Sequence, residues 1–285
     1  LLKVLDIGIP YHLAEDVPLE LLTATTAMKA FPSRPLVSHK GTFGHALVVA
    51  GSRCFVGAAY LASQGAARVG TGLVTLATPQ DIYPVLASKL TEVIHKPLPQ
   101  NGAGLIHRCA AKSMKDDLAR YSALLVGCGM GQSEDGVEFL RELLFQKTDH
   151  SLSVLIDADG LNNLAKIDGW WDALPHSAVL TPHPGEMSTL TGVATSQIQH
   201  SRVETARKWA QLWGVTLVLK GPHTVVATTG GLCFVSPFAN PGLASAGTGD
   251  VLAGIVTGFM AQGCSSEQAA LSGVYLHGLA AEDIR

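Results

Sequence analysis

Short continuous apolar runs ending in glycine or a polar residue alternate along this chain with longer stretches at helical apolar spacing. "ALVVAG" (46–51), "GLVTLAT" (72–78), "ALLVG" (123–127), "SVLID" (153–157) and "AVLTP" (178–182) read as strands. Between and beyond them, "AAYLASQGAARVG" (58–70) and residues 135–146, 201–213, 250–262 and 267–282 read as helices. Continuously apolar strands separated by helices predict an α/β fold, with a mostly parallel central sheet covered by helices on both faces. Three strands in close succession, "VTLVLKG" (215–221), "TVVAT" (224–228) and "LCFVS" (232–236), predict an antiparallel edge. "VLDIGIP" (4–10) reads as a short strand ending in a turn. With no repeat period and no Pro/Gly/Ser linker after about residue 40, the natural reading is one α/β domain behind a short lead-in.

Composition sharpens this picture. Among 285 residues, 47% are hydrophobic and 15% charged, enough apolar surface for a sizeable core. The net charge of −3 comes without a basic stripe, which argues against a nucleic-acid partner. The most apolar helix candidate, 251–261, has about half of the ~18–20 residues that a membrane span needs. Gly254 and Gly258 within it have the spacing that lets a soluble helix pack closely on a sheet. Five widely spaced cysteines without a C-x-x-C are expected to be buried small hydrophobes in a reducing, cytoplasmic compartment. The chain begins Leu1-Leu2-Lys3, with neither an initiator Met nor a signal pattern, as a piece of something longer or a processed chain would.

In open α/β sheets ligands bind beyond the carboxyl ends of the strands, and polar punctuation falls at those places here. "ASAGTGD" puts Ala246, Gly247, Thr248 and Gly249 directly before Asp250 at the start of an apolar helix. Side-chain-free amides at a helix N-terminus make an anion cradle suited to phosphate. Asp250 then either caps the helix or acts as a base on what the cradle holds, which points to phosphoryl transfer. No P-loop is present, and Gly127, Gly129 and Gly131 miss the dinucleotide spacing, leaving a tight turn that admits a ligand. In "TPHPGE" (181–186) two prolines fix His183, as a substrate contact or a structural residue; a metal at His183 and Glu186 lacks further ligands. "LKGPHT" (219–224) offers Lys220 at a strand end, for phosphate or as an ordinary strand-end lysine, and His223 in a turn. Asp157 and Asp159 either hold Mg²⁺ through water or are structural, capping the helix near Gly160 or making structural hydrogen bonds. "HKGTFG" (39–44) is a further loop compatible with phosphate.

Taken in order, "SHKGTFGHALVVAGS", "GAAYLASQGAARVGTGLV", "VGCGMG", "DADGLNNLA", "LTPHPGE", "LKGPHT" and "NPGLASAGTGDVLAGIVTG" resemble the ribokinase superfamily, and within it the ADP/ATP-dependent NAD(P)H-hydrate dehydratases. The resemblance covers nearly everything from Ser38 onward. It implies a ribokinase-like three-layer fold and a metabolite-repair lyase that returns the S-form of hydrated NADH or NADPH to the reduced coenzyme. ADP or ATP, with Mg²⁺, would phosphorylate the ring hydroxyl, and loss of phosphate would restore the dihydropyridine. By the same resemblance Asp250 is the catalytic base and Ala246–Gly249 the anion hole. Lys220, Gly221, Pro222, His223, Thr224 and Gly249 would contact the nucleotide. Ala59, Gly129, Gly131 and His183, with Asp250, would line the hydrate pocket. Cys128 stands where proline is usual in many relatives. Residues 1–30 resemble the end of an epimerase domain, as in bifunctional versions, ahead of a dehydratase domain over 31–285, and a homo-oligomer is expected. Two alternatives stay open: a kinase of a vitamin-precursor alcohol, and a non-catalytic nucleotide-binding module.

Overall fold

The structure, a computed structural model, describes residues 5, 7, 8, 10, 17–145 and 152–284. The strand expected over 4–10 lies largely outside the described residues, as does position 146 at the end of the helix expected from Asp135. In chain order the elements are β1 (Leu19–Leu21), α1 (Ala24–Lys29), β2 (His45–Val49), α2 (Val56–Arg68), β3 (Leu73–Pro79), α3 (Tyr83–Ala87), β4 (Ile94–Leu98), α4 (Ala110–Lys115), β5 (Ala123–Val126) and α5 (Glu134–Leu144). Then follow β6 (Ser153–Ile156), α6 (Asp159–Leu164), β7 (Val179–Leu180), α7 (Pro184–Thr191), α8 (Thr195–His200), α9 (Arg202–Trp213), β8 (Thr216–Leu219), β9 (Val225–Ala227), β10 (Cys233–Val235), α10 (Thr248–Ala261) and α11 (Ser266–Asp283).

The strands form one sheet in the order β1-β10-β9-β8-β7-β6-β5-β2-β3-β4. All pairings are parallel except the two made by β9, with β8 and with β10. The antiparallel triplet is therefore present but is not the edge, because β1 adds beyond β10 in parallel. This strand is three residues long and follows Pro18, too short to carry an alternating pattern. Residues just after it join the same core: Leu22 and Ala27 are fully buried, and the Ser272 hydroxyl donates to the Ala27 carbonyl at 3.1 Å.

Strand side chains alternate between two helical layers. Leu47, Val49, Leu124, Val126, Val154 and Ile156 face the layer that contains α4 to α9. Ala46, Val48, Ala123, Leu125 and Leu155 face α2, α10 and α11. Covered on both sides, the central strands hold no exposed position, which is why they read as unbroken apolar runs. Helix α10 is apolar nearly all round for the same reason, buried from Leu252 to Ala261. Its Gly254 and Gly258 serve a contact with α2 rather than with the sheet. A Cβ on Gly254 would collide with the Ala62 carbonyl oxygen, and one on Gly258 with Val69.

Two local expectations are corrected. Cys54 and Cys109 are exposed, in the loop after β2 and just before α4, while Cys128, Cys233 and Cys264 are buried; all five are free thiols. The loop 39–44 precedes β2 and so lies at the amino ends of the strands, where Gly44 packs against the carbonyl of Ala261 at the far end of α10. It is on the opposite edge of the sheet from the other motifs.

Candidate active site

The register of the central strands brings the chemistry together. Val49, Val126, Ile156 and Leu180 stand in one row across β2, β5, β6 and β7. The residues that follow them, including Gly127, Asp157 and Thr181, therefore emerge along one edge. Leu217 of β8 pairs with Leu180, so Lys220 projects three residues above that row. Asp157 is almost completely buried, and each of its oxygens has its own partners. Oδ1 accepts from Lys220 Nζ at 2.6 Å and from the Thr181 hydroxyl at 2.8 Å. Oδ2 accepts from the Cys128 thiol at 3.7 Å. Asp157 is thus the counter-ion of Lys220, not a helix cap. Asp159 accepts from the Gly131 amide at 3.0 Å and ties the turn after β5 to the start of α6.

The helix α10 begins at this edge. Gly247 is its N-cap, at φ 93°, and a Cβ there would also collide with Leu61. No side chain caps this helix. The amides of Gly247, Gly249 and Asp250 donate to no protein acceptor among the described residues. Three unsatisfied donors at the positive end of a fourteen-residue helix present a site for an oxyanion. The Asp250 carboxylate turns toward Cys128 and Asp157, with ligating atoms of the three residues all within 4.8 Å of one another. Burial, helped by the Asp157 carboxylate, pushes Asp250 up to about 6. Burial alone would depress Lys220, but Asp157 and Glu186 outweigh it and hold the ammonium above its ordinary value. Burial, with both aspartates, raises the Cys128 thiol far above its usual range, so it is protonated.

A cavity of about 730 Å³ opens beside the free amides. Lys220, Gly221, Pro222, Thr224, Ala246, Thr248 and Gly249 line it, together with His183. Phe238, Leu252 and Val274 give it an apolar wall, and His277, held below its ordinary value by burial, adds a neutral imidazole. His223 is not among its lining residues: in a strained left-handed turn at φ 53°, its ring faces the Ser236 carbonyl at 3.0 Å. Ala59 has no exposed surface and packs beneath Gly51, so it lines no pocket. The exposed flank of that helix is formed by its neighbours, Gly57 and the half-buried Ala58. Gly129 is buried against Phe55 and Ala58. Gly129 and Gly131 flank the site through the turn that carries Cys128.

His183 has a structural duty as well as an exposed face. Its Nδ1 accepts from the amides of Gly185 and Glu186 at 2.9 and 3.1 Å, and Glu186 Oε2 accepts from the His183 amide at 2.7 Å. This reciprocal cap closes the start of α7 behind Pro184. Since Nδ1 accepts, the ring proton of the neutral imidazole sits on Nε2, 3.3 Å from Glu186 Oε1. Glu186 also lies 3.6 Å from Lys220, and burial raises its carboxyl above the usual value. From the sequence alone Glu186 is a candidate only as a metal ligand. Its place two residues after Pro184 at the first helical position was the signal for a capping box, whereas its contact with Lys220 is set by the fold.

Hard carboxylate oxygens from Asp157 and Asp250 suit Mg²⁺, which keeps much of its water; the protonated Cys128 thiol does not suit it.

The arrangement has the parts for transferring a phosphoryl group to an alcohol: free amides, a buried ammonium and a desolvated carboxylate. The likeness of the chain to known proteins agrees. The family described as NAD(P)H-hydrate dehydratase (Carb_kinase) matches residues 46–285. A bifunctional NAD(P)H-hydrate repair enzyme of Moorella thermoacetica is 39% identical over 284 residues, covering 99% of this chain and 53% of that protein. The chain thus spans about half the length of this bifunctional relative. An ADP-dependent (S)-NAD(P)H-hydrate dehydratase of Neisseria meningitidis is 35% identical, covering 96% of this chain and 89% of that one. The crystal structure of the Bacillus subtilis ADP/ATP-dependent NAD(P)H-hydrate dehydratase, co-crystallized with ATP/Mg²⁺, superimposes with a TM-score of 0.77 at 33% identity, covering 92% and 88% of the two chains. With a ribokinase-like neighbour at a TM-score of 0.80 in support of the fold, this chain belongs to the NAD(P)H-hydrate dehydratase family.

Proposed function

We propose that the chain dehydrates the S-form of hydrated NADH or NADPH to the reduced coenzyme, with ADP or ATP as phosphoryl donor. The observation that carries this is the pairing of Asp250, raised to about 6, with unengaged amides at the start of α10. Asp250 takes the proton of the ring hydroxyl as the hydroxyl oxygen attacks the terminal phosphorus of the nucleotide. The amides of Gly247, Gly249 and Asp250, with Lys220, offset the charge that builds on the phosphoryl oxygens. Phosphate then leaves with the C–O bond electrons, a ring proton is lost, and the dihydropyridine is restored. The nucleotide lies in the cavity beside Lys220, with its base against the wall of Phe238, Leu252 and Val274. Asp157 and Asp250 would hold Mg²⁺, which would supply charge neutralisation at the phosphates. His183 meets the hydrate with its Nε2 side, and Gly129 and Gly131 form the turn beside it.

The five free thiols suit a cytoplasmic setting. Fusion to an upstream epimerase domain is part of the same reading, which the bifunctional M. thermoacetica relative supports. The boundary expected at residue 30 moves toward the start of the chain, because β1 pairs with β10 and Leu22 and Ala27 are buried in this domain's core. A homo-oligomer is expected, and sedimentation of the purified protein tests it. The activity is tested by adding hydrated NADH and ADP with Mg²⁺. Recovery of the reduced-nicotinamide absorbance with one AMP and one phosphate per coenzyme is expected. Recovery without nucleotide consumption, or phosphorylation of a vitamin-precursor alcohol in its place, would overturn the reading.

A further inference from the structure

Cys128 is a residue the proposed reaction does not use, yet it lies against the two carboxylates that matter most. Lys220 and Thr181 occupy Asp157 Oδ1 and leave Oδ2 facing the thiol. The Sγ to Oδ2 separation is 3.7 Å. A tetrahedral zinc site with Zn–S of about 2.3 Å and Zn–O of about 2.1 Å has an S···O edge of about 3.6 Å. The third atom, an Asp250 oxygen, is within 4.8 Å of both. One ligand spacing of a sulfur-and-oxygen cage is thus nearly set before any ion arrives, a third ligand lies within a small movement of it, and three protein ligands leave a fourth position open. The charge also fits: thiolate and two carboxylates, with Glu186 close behind, exceed the single cation Lys220.

We propose that Cys128, Asp157 and Asp250 form a binding site for a thiophilic divalent cation, zinc or cadmium, and that its occupation silences the base. The ion enters from the side of Asp250, the only one of the three with appreciable exposure. The metal–sulfur bond forms as the thiol proton leaves to solvent, and the Asp250 carboxylate becomes a ligand that can no longer accept the substrate proton. Mg²⁺ cannot use this mode because it does not favour sulfur. Inhibition rests on Asp250 being the base; binding of the ion does not.

The two parts are separated by measuring them separately. Cadmium titrated into the purified protein carrying Cys54→Ser and Cys109→Ser, without nucleotide, is expected to raise a sulfur-to-metal charge-transfer absorbance that saturates at one ion per chain. Equilibrium dialysis with zinc is expected to give the same stoichiometry. Cys128→Ser, which keeps a small polar side chain, is expected to abolish the absorbance and weaken zinc binding by at least ~10-fold, no less than the loss caused by outer-shell partners. Micromolar zinc is then expected to inhibit turnover at excess Mg²⁺, reversed by a chelator, with Cys128→Ser proportionally less sensitive relative to its own uninhibited rate. An absorbance that survives in Cys128→Ser, or equal zinc affinity in both proteins, overturns the site. Stoichiometric binding through Cys128 with no inhibition leaves the site standing and overturns the role of Asp250.

Discussion

Two helix starts face each other across this site, and they are built in opposite ways. At α7 the first turn is closed by its own residues: His183 Nδ1 takes two amides and Glu186 returns the bond. At α10 the first turn is left open, with a glycine in the capping position and an acid whose carboxylate lies near Cys128 and Asp157 and caps no amide. Both segments combine an acid with glycine or proline, and both look like helix-capping motifs. The difference shows where the protein forgoes local helix stability. An unsatisfied N-terminus is unfavourable until an anion meets it, so the open start is the one that binds.

That contrast can be broken at several strengths. Asp250→Asn has the largest expected effect: a drop in kcat of at least ~10²-fold with ADP affinity nearly unchanged, read by absorbance recovery and calorimetry. Gly247→Ala comes next. At φ 93°, and with Leu61 in the way, an alanine must shift the turn, so ADP affinity falls and stability drops by about 1–3 kcal/mol in denaturant titration. At the closed start, His183→Ala is expected to lose about 0.5–2 kcal/mol through the cap. His183→Asn restores the cap and therefore the stability; any rise in KM that persists in this variant reports contact with the hydrate. A comparably small effect is again at Asp250. Its raised pKa means that the folded state binds the proton more tightly than the unfolded state. Its charged form therefore destabilises above about pH 6, and the penalty fades as pH falls toward the unfolded value. Asp250→Asn should accordingly be more stable than wild type at pH 8 by roughly 1–2 kcal/mol, allowing for solvent screening.

The sheet and the open helix start were legible in the chain because both are written locally. A strand buried on both faces is a continuous apolar run, and a helix meant for an anion is introduced by small residues. The edges were not legible. β4 runs Ile94-His95-Lys96-Pro97-Leu98, an edge strand whose polar residues and proline erase the pattern, and β1 is three residues long. In the site, Asp250, Lys220 and His183 were visible, but their relations were not. Asp157 and Lys220 are 63 residues apart and meet only through strand register. Cys128 looks like any small apolar residue until Asp157 and Asp250 are placed against it. Ala59 misled in the other direction, since helical phase places it one residue away from the exposed flank.

The central claim is that Asp250 is a desolvated base beside an open anion site. Its most direct test is the ratio of wild-type to Asp250→Asn turnover across pH, because ionisation of the nucleotide phosphates is common to both proteins and cancels. The ratio is expected to rise about tenfold per pH unit up to about 6 and to level off above it. A ratio that stays flat, or that levels off near the ordinary carboxylate value, would contradict the assignment.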